Sequence, residues 1–370
     1  TAPGEPPADP DALRVLARAL SARLSAFAAI EDHHATVIAR SGARLRLDSA
    51  GTRVEAPVAE ARVALSAIAR APDGMVAHVE VEWVARRVED HDAAALAAEA
   101  DELGARLAAW TRLPAETAEH LGPVLFEGDA AIALFTRLLL PGLGGSRRHR
   151  DPPDGEVEPF RVGRRVLPKG FRVVDDPAAD LSLPSGYTHD EDGVPAERIV
   201  LVEDGAVRTS YTSCVPGPGV PRSNGHGRAG GGGRAVGMPA QVRVEGPETL
   251  GRDEILAGVA GPVVIARRFD HERPDVLVDA VLRDADGTER AVRGLRLAGV
   301  SEHLLRDVDA CGPRVRRTVT VCRHRYDHAG DHEDVPVTVD VPIVLVGDVH
   351  LEPDDATGDL PSSVPPPFGR

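Results

Sequence analysis

Hydrophobic and polar residues follow two different periods along this chain, and the change of period divides it. Over residues 11–29 leucines recur at helical spacing, with Leu13, Leu16, Leu20, Leu24 and Phe27 on one face. ATVIAR (35–40) and ARLRLDSAG (43–51) then alternate with period two, the pattern of half-buried strands. A second amphipathic stretch covers 57–69, a turn follows at Asp73-Gly74, and MVAHVEVEWVA (75–85) reads as a strand. Residues 92–110 form the clearest helical segment, alanine-rich with Leu96, Leu103 and Leu107. The stretch GPVLFEGDAAIALFTRLLLPGLGG (122–145) predicts a buried strand over 123–126 and a turn at Gly128-Asp129. An apolar helix then runs from Ala130 and stops at Pro141-Gly142. Its apolar face, Ile132, Leu134, Phe135 and Leu138, is expected to pack on a β-rich second domain.

Beyond Pro141 the character changes. Residues 142–159 are a polar, Gly/Pro-containing linker or loop, and most later segments are strand-like. They are joined at Asp192-Gly193, Asp204-Gly205 and Asp286-Gly287, where Asp-Gly suits hairpin turns whose central residues need positive φ. Short helices are expected near 251–258 and 301–309, and 216–237 reads as a Gly/Pro-rich loop. The predicted class is α+β: a mixed α/β N-terminal domain over 11–141, then a largely antiparallel β C-terminal domain over 160–351. Residues 1–10 read as a mobile arm and 352–370 as a disordered tail.

Composition narrows the function. The 370 residues carry a net charge of −15, which repels phosphates and argues against nucleic-acid or anionic-membrane binding. Aromatics at 3% leave little to stack on bases, and no apolar run reaches the ~20 residues of a membrane span. Three cysteines, Cys214, Cys311 and Cys322, form no even disulfide framework and show no CxxC spacing. The chain opens TAPGEPPADP without a methionine. That fits a removed upstream segment, a cleaved secretory signal among the options, and leaves the compartment open.

Candidate chemistry is sparse. GHGRAG (225–230) matches GxGxxG but precedes a glycine run and a strand, so it reads as a flexible loop and not as a dinucleotide turn. The acidic clusters Asp175-Asp176 and Asp190-Glu191-Asp192 sit beside Pro or Gly and read as turn formers. CRHRYDHAGDHED (322–334) offers Cys322, His324, His328 and His332 as zinc ligands. Their spacing matches no standard site, and the segment reads as a solvated hairpin tip.

Several segments, in order, resemble the TldD/PmbA (TldD/TldE) family of predicted zinc-dependent proteases. VVDDP (173–177) is similar to its Asp-Asp element, and THDEDGVPAERIVLVEDGAVRTSY (188–211) to its acidic-Gly turn and hairpin. RSNGHGR (222–228) resembles a Thr-Gly-Asn-Gly-Arg-Arg loop, MPAQVRVEG (238–246) a Pro-x-x-Arg-x-Thr-Asn strand, and AVRGLRLAG (291–299) a Pro-Val-Lys-Gly-x-x-Leu-x-Gly strand. The resemblance implies a helix bearing His-Glu-x-x-x-His, which supplies two zinc ligands and a general base, completed by a late cysteine. Aligned on Gly128 those three positions fall on Phe135, Thr136 and Leu140, and one residue later on Thr136, Arg137 and Pro141. Neither register holds a histidine or a glutamate. Cys322 is the counterpart of the late cysteine.

The resemblance therefore points to the side of the family that lacks the metal, a TldE-like subunit with no catalytic residues and no cofactor. Its expected partners are unfolded peptide and a second subunit, as a homodimer or as a heterodimer with a TldD-like chain. Nucleic acid and membrane are not expected partners, and family resemblance suggests a cytoplasmic location. By the same analogy Ser223, Asn224, His226 and Arg228 would line a site where an extended peptide pairs with a strand edge. The alternatives are a metallopeptidase with a zinc site rebuilt near 322–334, and a non-enzymatic dimeric peptide-binding protein.

Overall fold

A computed structural model describes residues 9–47, 49, 51–145, 160–214, 222–229, 235–299, 303–322 and 334–354. Helix α1 (Pro10–Leu24) leads into three long antiparallel strands, β1 (Ile30–Leu47), β2 (Arg53–Arg70) and β3 (Val76–Ala85). The stretch at 57–69 is the middle of β2. Its residues alternate strictly, so Val63, Leu65, Ala67 and Ala69 face inward while their neighbours are half-buried. β1 runs through Gly42 without a break, joining what reads as two short strands into one. Helix α2 (Ala93–Trp110), capped by Asp92, closes this layer with Leu96, Ala100, Leu103, Leu107 and Trp110. α1 adds Leu20 and Leu24, and it ends earlier than the leucine spacing suggests because the chain turns at Ser25.

The second layer is an eleven-stranded mixed sheet among the described residues. It begins with β4 (His120–Phe126), which feeds helix α3 (Gly128–Leu134). Strands β5 (Arg172–Asp175), β6 (Ile199–Glu203) and β7 (Ala206–Val207) form one edge. A separate small ribbon pairs β8 (Gly227–Arg228) with β9 (Val236–Gly237). Then come β10 (Gln241–Glu245), helix α4 (Arg252–Ala257), β11 (Val263–Phe269), β12 (Val276–Arg283), β13 (Glu289–Val292) and β14 (Leu295–Leu297). Helix α5 (His303–Arg306) is a single turn before the long hairpin of β15 (Val308–Cys322) and β16 (Asp334–Pro353).

Most pairings are antiparallel, but β4 runs parallel to β11 and β10 parallel to β16. β16 is the hub, and Ile343, Val344, Leu345 and Val346 are buried in succession because both faces of the sheet are covered there. β4 pairs with β11 and β16, so the division drawn at residue 141 cuts through a single sheet-and-helix layer. The expected tail also shortens: Glu352 and Pro353 belong to β16, while residues 355–370 lie outside the described part, as do 1–8 and 146–159.

The predicted helix after Gly128 forms but changes type. Regular turns end at Leu134, a π-helical turn covers Phe135–Leu139, and a 3-10 turn Pro141–Leu143 follows. Pro141 lacks an N–H, and its ring would meet the carbonyl one α-turn back. The Leu140 N–H reaches instead to the Phe135 carbonyl at 3.1 Å, while the Thr136 hydroxyl donates to the Ile132 carbonyl at 2.8 Å. No helix among the described residues is long and apolar enough to cross a membrane.

Candidate functional site

The two layers flank an open cavity of about 590 Å³ beside α3. α3 and its π turn contribute Asp129, Ile132, Ala133, Thr136 and Arg137. β15 contributes Arg317 and Thr320, and the strands of the first layer contribute Arg62, Glu80 and Glu82. Charges here are paired off. Arg62 meets Glu82 at 3.0 Å and Asp334 at 3.0 Å. Burial pushes the Arg62 pKa down, but these carboxylates outweigh it and hold the guanidinium charged. Asp129 is clamped between Arg268 and Arg317, each at 2.5 Å. Glu82 accepts from the Thr320 hydroxyl, tying β3 to β15.

The helix positions that the family resemblance marks for metal are divided by this cavity. Phe135, Leu140 and Pro141 are buried in the core, while Thr136 and Arg137 line the cavity. Thr136 spends its hydroxyl on the helix backbone. Arg137 donates to the Pro274 carbonyl at 3.2 Å and lies 6.0 Å from the centre of the Phe269 ring. A committed hydroxyl and a guanidinium are not a zinc donor set, and the one carboxylate on this side of the helix is neutralised by two arginines. The helix therefore does not fit the metal. Cys322 ends β15 opposite Asp334, next to the lining residue Val321. His324, His328 and His332 lie outside the described residues. Among the described residues no group of three or more His, Cys, Asp or Glu is placed to hold a metal ion.

A second groove of about 190 Å³ lies where the far ends of β1 and β2 cross the 184–191 loop and β8. Arg44 pairs with Glu191 at 2.6 Å and Arg46 with Asp192, so the β1–β2 arm is pinned down by the acidic turn. That turn does more than reverse the chain. Asp190 accepts from the Asp192, Val194 and Gly227 N–H groups, Glu191 from the Ala229 N–H and Asp192 from the Cys214 N–H. Burial raises the Asp190 pKa against these hydrogen bonds. A Cβ at Gly227 would lie 2.8 Å from Asp192 Oδ2 and 2.9 Å from Asp190 Oδ2, so only glycine fits there.

The 222–229 segment is thus built into the protein, contrary to its reading as a flexible loop, because its backbone donors are taken by buried carboxylates. Asn224 is internal: its Oδ1 accepts from Thr212 N and its Nδ2 donates to the Ser210 carbonyl. His226 is wholly buried, 3.7 Å from Asp175 and 5.4 Å from the Tyr211 ring centre. Ser223 is half-buried against the Thr212 carbonyl. Of these four residues, Arg228 is the one that lines the groove. Asp175 likewise is no turn former. It is buried and accepts from the Ala240 and Gln241 N–H groups at 2.8 Å each, leaving Asp176 to cap the turn at Ala178. Tyr187 and Arg86, which also line the groove, carry no signal in the sequence. Arg40, Arg44 and Arg46 do, as same-face residues of an alternating strand.

The family described as PmbA/TldA metallopeptidase C-terminal domain matches residues 120–352, from β4 to the end of β16. No curated protein matches the chain. Among solved structures it is similar to TldE from Thermococcus kodakarensis, with a TM-score of 0.61 and 19% identity over 93% of this chain and 75% of that one. It is also similar to a candidate modulator of a DNA gyrase from Thermotoga maritima, with a TM-score of 0.63 and 16% identity over 95% and 79%. A protein of the same description from Bacteroides thetaiotaomicron gives 0.64 and 13% over 93% and 72%. These identities speak for the fold, and the family match spans the whole second sheet with the helix that faces the cavity. On that match, the chain belongs to the TldD/PmbA/TldE family.

Proposed function

We propose that this chain is a TldE-like subunit of a peptide-processing assembly, which helps hold unfolded peptide and leaves cleavage to a metal-bearing relative. The observation that carries this reading is the pair Thr136 and Arg137 at the cavity face of the helix. A hydrolytic zinc site needs about three protein ligands and an open position for water. A guanidinium facing the cavity repels a dication, and no glutamate stands on the helix to take a proton from water. The cavity between the layers is large enough for a peptide segment, since ligand pockets run to roughly 300–1,000 Å³, and its lining offers paired charges.

The test is metal analysis of protein purified without added zinc, with an unfolded-peptide cleavage assay run alone and with a His-Glu-x-x-x-His relative. The expected result is no stoichiometric zinc and no cleavage alone, with chelator-sensitive cleavage once the relative is present. Stoichiometric zinc with cleavage that Cys322→Ser abolishes would overturn this in favour of a rebuilt site. Peptide binding with no relative that joins the chain would leave a binding protein outside proteolysis.

A further inference from the structure

Carboxylates neutralise most arginines around the cavity and the groove, but two in the groove stand apart. Arg228 is 5% exposed and donates only through Nη1, to the carbonyls of Pro239 at 2.8 Å and Pro336 at 2.7 Å. Its guanidinium carbon lies 5.5 Å from the centre of the Tyr187 ring. Arg86 likewise donates to carbonyls alone, those of Ser182 at 3.1 Å and Gly186 at 2.9 Å. Among the described residues neither has a carboxylate within ion-pair distance. Their neighbours differ: Arg44 and Arg46 have Glu191 and Asp192, and Arg40 faces Glu60 across the hairpin.

In a chain with 58 acidic and 43 basic residues, leaving two half-buried or buried cations of one groove without counter-ions is costly. Burial pulls the pKa of both guanidinium groups down, the direction expected when desolvation is not repaid by a nearby anion. The buried Tyr187 hydroxyl has no hydrogen-bond partner either. Part of the wall is aliphatic, with Val54, Ala56, Val58 and Pro336, and the carboxylates in the lining, Glu60, Asp190, Glu191 and Asp334, lie beyond ion-pair distance of both arginines. At about 190 Å³ the groove is smaller than most sites for whole ligands and suits the end of one.

We propose that this groove binds a peptide through a carboxylate, with Arg228 and Arg86 as its counter-ions and the aliphatic wall receiving the adjoining side chain. The proposal rests on the peptide-handling reading above and adds where, and by which chemical group, the peptide is held. Guanidinium carbons fixed by backbone carbonyls leave their remaining N–H donors in a set direction, which favours a planar two-oxygen acceptor.

Fluorescence anisotropy on the full chain tests this with three labelled pentapeptides of alanine and valine. One has a free C-terminus, one is C-terminally amidated, and one is amidated but ends in glutamate. The free acid is expected to bind about tenfold more tightly than the plain amide, and to lose that advantage in Arg86→Gln. Tyr187→Phe, which removes a hydroxyl with no partner, should weaken the acid more than the amide, and melting curves check that both variants fold. Strong binding of the glutamate peptide also supports the site and identifies a side-chain carboxylate as the source. Equal binding of acid and amide overturns the carboxylate site and leaves peptide binding standing. No binding of any peptide overturns both.

Discussion

Glu127 sits where β4 hands over to α3, and arginines from two other elements meet it. Arg252 of α4 approaches at 2.6 Å and Arg267 of β11 at 2.9 Å. Burial alone would push the Glu127 pKa up, but the hydrogen bonds and charges of both arginines outweigh it and hold the carboxyl below its ordinary range. Because the folded value is depressed, the stability it contributes is present above the ordinary carboxylate range. It is lost as pH falls through the folded value. Glu127→Gln is therefore expected to cost about 1.5–3 kcal/mol at neutral pH, the range for hydrogen bonds to charged groups. Urea denaturation at several pH values should show the gap from wild type closing as the medium becomes acidic, and a constant gap would refute the assignment. Arg228 teaches the complementary lesson at this scale. Its side chain lines the groove and also holds the Pro239 and Pro336 carbonyls, so Arg228→Ala is expected to destabilise the fold as well as to weaken peptide binding.

Among elements, α2 shows how packing overrides propensity. Gly104 lies in the middle of the helix, where alanine would ordinarily be better by about 0.8–1 kcal/mol. A Cβ there would fall 2.2 Å from the Phe27 ring, which packs across the helix from the turn after α1. Overpacking costs about 1–3 kcal/mol, so Gly104→Ala is expected to destabilise by about 1 kcal/mol. Adding Phe27→Leu should recover part of that loss in a double-mutant denaturation cycle, and a stabilised single variant would contradict the packing argument. The helices α1 and α2 and the strand β3 were legible from their hydrophobic period, and α4 falls within the span 251–258 expected for it. The π turn in the cavity-facing helix was not. The sequence shows Pro141 stopping a helix but not that the preceding turn widens to accommodate it.

At the scale of the molecule, the two layers are joined by a few buried polar groups. Arg293, 4% exposed, binds Asp73 at 2.6 Å, donates to the Leu113 carbonyl and stacks 5.4 Å from the Trp110 ring centre. The hydrogen bond from Arg293 is the main cause that lowers the Asp73 pKa. Asp270 accepts from the His78 N–H of β3 at 2.7 Å, and Arg273 donates to the Val76 carbonyl. Breaking a buried pair costs about 3–5 kcal/mol. Because Asp73 is half exposed and can be rehydrated, Arg293→Met should cost less, about 2 kcal/mol. Hydrogen exchange should then speed up in β3 and the end of α2 before it does in β16, which the substitution does not touch. Uniform acceleration would argue against Arg293 as a junction residue.

The sequence by itself determined the elements with a clear period, the class α+β, the family resemblance and the absence of histidine and glutamate from the helix after Gly128. Each of these is written in local order: side-chain spacing sets which face is buried, and a missing residue type needs no coordinates to be missed. Only the tertiary structure decided that β4 and α3 belong to the large sheet, since strand partners such as β11 and β16 lie more than a hundred residues away. It also decided that Asp175 is a buried acceptor and not a turn former, and that Asp190 and Asp192, which do sit in a turn, are buried and accept N–H groups from distant loops as well. And it alone separated the arginines that have carboxylates from Arg86 and Arg228. Counter-ions are a matter of distance in space, and the one-dimensional pattern shows only that arginines are many.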